Sequence, residues 1–211
     1  MSQMVMFVIE KNGDLREFAT FPNAYRGWKI MWDFFEAKYF PVEPGKASIL
    51  IEDALHPERK AAEKFWNLAY EARVPAHERV ALRCSYDGAM LKQEHFQLAS
   101  DSFYVLADEM GKTPWMERGM AILGEEVTFV ADSGNMGALA DAIGKAKKQE
   151  NLIGCCWQYS SSSSDPWNEG RAHRGGRPFN VFVNRNYVPQ YWINPSCLES
   201  DDLPLEMKED E

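Results

Sequence analysis

Residues 152–159 read Leu-Ile-Gly-Cys-Cys-Trp-Gln-Tyr, a run that is apolar on both faces for most of its length. Successive side chains on a strand point to opposite sides, so a strand of this kind belongs in the middle of a sheet. An aspartate at Ile153 is therefore expected to unfold the protein, because an unpaired buried charge outweighs marginal stability.

The rest of the chain supplies partners for that strand. Met4–Ile9 and Leu15–Phe21 flank Asn12-Gly13, a strong hairpin signal, so the chain opens with a hairpin closed by Pro22. A helix capped by Asn23 runs to about Lys38 and is aromatic almost all the way round. One face must pack on the sheet, and other parts of the chain or a partner must cover the rest. Ala47–Ile51 reads as a short strand, and Pro57 starts a helix that runs to about Arg73. Val80, Leu82, Cys84 and Tyr86 alternate like a half-buried strand, and Asp87-Gly88 turns it into Met90–Phe96. A helix through Leu98, Phe103 and Met110 stops at Gly111, and Thr113-Pro114 restarts a short one to about Leu123. Glu125–Ala131 is a strand, followed by a helix from about Met136 to Lys148 with Asn135 as its cap. With the 152–159 strand this makes a candidate parallel crossover. Phe179–Val183 and Tyr187–Ile193 read as a final hairpin. Strands interleave with helices, but several strand pairs are hairpins. The expected fold class is α+β, with a mixed, largely antiparallel sheet, several packed helices and one βαβ unit.

The domain organisation follows from charge and length. The chain has 211 residues and a formal net charge of −9. Seven acids and one base lie from Glu199 onward, so that tail holds −6 of the charge and the body −3. A single α+β domain over 1–198 with an acidic, disordered tail over 199–211 is expected. The alternative divides the body into two subdomains near 75–80 or 111–124. A nearly neutral body lacks the basic field that coating a phosphate backbone needs, so nucleic acid is not the expected partner. No apolar run is long enough for a membrane helix, and the first residues show no secretory signal. The four cysteines (Cys84, Cys155, Cys156, Cys197) are then expected as reduced thiols in a cytoplasmic protein. Cys155 and Cys156 should point to opposite faces of their strand.

No catalytic motif stands out. The carboxylate pairs Glu125-Glu126, Asp53 with Glu58, and Asp108-Glu109 sit in no acid/base frame. The histidines His56, His77, His95 and His173 show no paired ligand spacing, so no metal or other cofactor is expected. The junction Asp132–Gly137 has neither a dinucleotide-binding nor a P-loop pattern. The densest set of recognition residues lies near the polar stretch 160–177: Trp167, Arg171, His173, Arg174 and Arg177, with Arg185 beyond it. Arginine forks match carboxylate and phosphate oxygens, and tryptophan, tyrosine and arginine dominate interface hot spots. These residues predict a soluble protein that binds another protein, as an inhibitor, immunity or regulatory factor. The alternative is a small enzyme on a phosphorylated or nucleotide substrate, with Arg171 and Arg174 on phosphate and His173 as acid or base.

Overall fold

The structure, a computed structural model, describes residues 3–22, 24–40, 63–86, 89–112, 114–116, 128–130, 134–159, 180–182 and 191–193. Strand β1 (Gln3–Glu10) pairs antiparallel with β2 (Leu15–Pro22) through the turn read from Asn12-Gly13. Gly13 takes φ +89°, a backbone conformation that costs glycine little. A Cβ there would also strike the Phe182 ring. The segment 180–182 clamps this turn: the Asn180 side chain donates to the Asn12 carbonyl and to Asp14 Oδ1, both at 2.8 Å. The Val181 N–H donates to the Gly13 carbonyl at 2.9 Å.

Strand β6 (Leu152–Tyr159) is the middle strand of five, in the order β2-β1-β6-β3-β7, where β3 is Ala89–Lys92 and β7 is Tyr191–Ile193. It pairs antiparallel with both neighbours, and its central place is what a strand apolar on both faces calls for. Among the described residues, the one parallel pair is β3 with β7. The sheet is thus mixed and mostly antiparallel, and the fold is α+β. A separate antiparallel pair joins β4 (Pro114–Met116) to β5 (Thr128–Val130).

Alternation along β1 separates two cores. Met4, Met6 and Val8 face the larger one, with residues of the helices; Val5, Phe7 and Ile9 face the smaller one, with Leu15, Met90, Cys156 and Val181. Cys155 and Cys156 fall on opposite sides, as expected. A bulge sits opposite Ile9 and Glu10, which pair with Gly154 and Leu152 and skip Ile153. Helix α1 (Ala24–Tyr39) buries Trp28, Met31, Phe34 and Phe35 in the larger core. Ile30, Trp32, Tyr39 and Phe40 pack against it half-buried, so these residues of the aromatic helix serve the core.

Several elements differ from the sequence reading. The helix expected to reach Arg73 is described as α2 (Glu63–Leu68) and then breaks into turns. Residues 80–86, expected as a strand, belong mostly to α3 (Ala76–Cys84). Their alternation was misleading because Ala81 and Arg83 are buried as well, and Ala, Leu, Glu and Arg favour helix. With a helix before it, β3 is no hairpin partner of 80–86. The strand itself stops at Lys92 and passes through a 3₁₀ turn, Gln93–His95, into α4 (Phe96–Lys112). That helix continues one residue past Gly111. Pro114–Met116, expected as helix, is strand β4. Helix α5 (Gly134–Lys147) starts one residue before Asn135, the position expected to precede it. The crossover reading over 125–159 fails because β5 pairs with β4, outside the main sheet. Likewise β7 pairs with β3 and not with 180–182, where Asn180 instead bridges Asp14. The strand expected at 47–51 and the tail 199–211 lie outside the described residues.

Candidate functional site

Helices α1, α3 and α4 bring ionisable side chains together where the end of the first meets the start of the second. Lys38 is in the last turn of α1 and Glu78 in the first turn of α3, each at the helix end whose dipole favours its charge. Glu78 is fully buried. The Lys38 ammonium donates to Glu78 Oε1 and lies 3.5 Å from Glu109 Oε2 on α4. The Tyr39 hydroxyl donates to the other Glu78 oxygen, Oε2, at 2.5 Å. His77 Nε2 lies 3.0 Å from Glu109 Oε1 and 3.9 Å from Glu78 Oε1. The Arg73 guanidinium covers the Tyr39 ring, 5.6 Å from its centre.

This arrangement moves the acid–base balance of its members. Burial pulls the Lys38 ammonium toward neutrality, but Glu78 and Glu109 outweigh it and hold its pKa above the ordinary 10.5. Burial alone would raise Glu109, yet His77 and Lys38 hold its carboxyl below the usual 4.5. Burial and the bond to Glu78 raise the Tyr39 phenol, which stays protonated. The cluster can hold positive charge between its two carboxylates. Among the described residues, His77, Glu78 and Glu109 are the His/Cys/Asp/Glu group placed to hold a metal ion.

The cluster was not legible in the sequence. His77 and Glu78 are adjacent, but Glu109 lies on another helix, and its nearest carboxylate in sequence, Asp108, turns away to pair with Lys112. The reading of 80–86 as a strand also hid the helical start that presents His77 and Glu78. The cysteines offer no comparable chemistry: burial pushes the thiols of Cys84 and Cys155 well up, so neither is a ready thiolate.

A second feature is the outward side of α4. It runs antiparallel to α5: Lys147 Nζ donates to Gln97 Oε1 at 2.8 Å, Ser100 Oγ to the Ala140 carbonyl at 2.8 Å, and the Tyr104 hydroxyl to Asp141. With that flank and the sheet flank covered, Leu98, Tyr104 and Val105 remain 36% to 47% exposed. Leu98 and Val105, seven residues apart, share one face. Asp101, Asp108 and Asp141 stand beside them, all exposed.

Trp167, Arg171, His173, Arg174, Arg177 and Arg185, the binding residues expected from the sequence, lie outside the described residues. No helix among the described residues is long and apolar enough to cross a membrane. No protein-family model, no curated protein and no solved structure matches the chain.

Proposed function

We propose that the protein works by binding another protein, as an inhibitor, immunity or regulatory factor does, and that the outward side of α4 is one of its contact surfaces. The observation that carries this reading is the exposure of Leu98, Tyr104 and Val105 on a helix whose other flanks are packed. Tyrosine is enriched at interface centres, whose buried core is more apolar than the rest of the surface. The surrounding aspartates call for a partner surface that is apolar at its middle and basic at its rim. The arginines at 171 and 174 are a second contact, facing acidic groups of the partner.

Capture from cells that express the chain, compared across variants, tests both surfaces. Leu98→Asp with Val105→Asp places two charges in the apolar centre. It is expected to release a stoichiometric partner, weakening binding at least tenfold, about 1.4 kcal/mol, with unchanged melting. Arg171→Ala with Arg174→Ala should weaken the same complex without touching stability. Loss with the arginine pair alone would remove α4 from the interface. A partner held equally by both variants, or no stoichiometric partner at all, would overturn the reading.

A further inference from the structure

The cluster at the three-helix junction already holds a cation, and that cation is a side chain. Three features go beyond an ordinary ion-pair network. The donor atoms of His77, Glu78 and Glu109 all lie within 4.8 Å of one another. Ligand atoms about 2.0–2.2 Å from a tetrahedral metal stand roughly 3.3–3.6 Å apart. The separations of His77 Nε2 from Glu109 Oε1 and Glu78 Oε1, 3.0 and 3.9 Å, bracket that span. Next, Glu78 is fully buried and its Oε2 is held by the Tyr39 hydroxyl, leaving Oε1 turned toward His77 and Lys38. A hydrogen bond to the far oxygen of a carboxylate is the outer support that orients metal ligands. Last, two carboxylates converge on the ammonium, with an imidazole beside them. A divalent ion balances both carboxylates and takes neutral imidazole as its third ligand.

We propose that His77, Glu78 and Glu109 form a three-ligand site for a divalent transition-metal ion, and that the Lys38 ammonium occupies this place when no metal is bound. Lys38 is suited to give way. Its side chain is 38% exposed and sits on a flexible stem, so it can turn into solvent as the ion enters between His77 and Glu109. One imidazole nitrogen with two carboxylate oxygens favours a zinc-like ion over calcium or magnesium, which take oxygen ligands alone. Three protein ligands leave a coordination position for water or for a group brought by a partner.

The test uses the full chain, with Co²⁺ followed by its visible absorption and Zn²⁺ by calorimetry. One equivalent should bind. His77→Ala and Glu109→Gln should each weaken binding by more than tenfold, and Tyr39→Phe by about tenfold, as losing an outer support does. Lys38→Met should tighten binding, because the competing ammonium is gone. A purely structural ion-pair network predicts otherwise: Lys38→Met would bind no metal. His95→Ala, 3.5 Å from Glu94 and away from the cluster, should leave binding unchanged. Circular dichroism without metal establishes which variants fold. If His77→Ala and Glu109→Gln do not, the comparison of Lys38→Met with the wild type decides. No metal bound by Lys38→Met, affinity unchanged by that substitution, or binding that survives His77→Ala would each overturn the proposal.

Discussion

At the scale of residues, burial decides which charges carry weight. Glu78 is fully buried, so its partners on Tyr39 and Lys38 matter more than the exposed pairs Arg16–Glu10 or Lys112–Asp108, which contribute little. The cluster also makes stability depend on pH at both ends. Glu109 is held below its ordinary 4.5, so its contribution is present above that value and is lost as pH falls through the folded pKa. Lys38 is held above 10.5, so its contribution is present below that value and is lost as pH rises through the folded pKa. Urea midpoints measured across pH should therefore plateau between these limits and fall outside them. Glu109→Gln is expected to flatten the acid limb and Lys38→Met the alkaline one. Profiles identical to the wild type would show that neither pairing stabilises the fold.

At the scale of elements, strand β6 was legible down to its end residues, because eight residues apolar on both faces have few other places to go. Its bulge was not. Ile153 reads as one more buried position, but it has no partner on β1 and is half-buried, whereas Cys155 is fully enclosed in the larger core. The sequence expectation that Ile153→Asp unfolds the protein is revised accordingly. Cys155→Asp should abolish cooperative unfolding, because an unpaired buried charge consumes much of a stability of roughly 5–15 kcal/mol. Ile153→Asp should remain folded with a lowered denaturation midpoint. Equal loss in both would put Ile153 inside the core after all. Helix α3 carries the complementary lesson. Period-2 spacing at Val80, Leu82 and Cys84 counts for little when Ala81 and Arg83 between them are buried too.

At the scale of the whole molecule, the five-stranded sheet has a core on each side, and the helical face carries both the ionisable cluster and the exposed side of α4. The acidic stretch 199–211 holds −6 of the net −9 with only two leucines and a methionine among its charges. On composition alone such a segment is expected to contribute little to the fold. Its deletion should leave the melting temperature of the rest within about 2 °C, the lower end of the 2–4 °C that 1 kcal/mol moves a domain of this size. A larger drop would mean that the tail docks on the body.

The sequence by itself determined the hairpin, the first helix, the helix through Leu98 and Met110 and the central strand. Each rests on a local signal: a turn that tolerates positive φ, a run of periodic apolar residues, a strand with two apolar faces. Local signals say nothing about which distant side chains meet. The parallel pairing of β3 with β7, the removal of β5 from the main sheet and the clamp of Asn180 on the first turn join residues far apart in the chain. So does the meeting of Lys38, His77, Glu78 and Glu109, in which ends of three helices converge. Packing chose those neighbours, because a sheet with apolar faces must be covered and only some helix placements cover it. The charges that came together as a result are the part of this protein that its sequence, read position by position, did not contain.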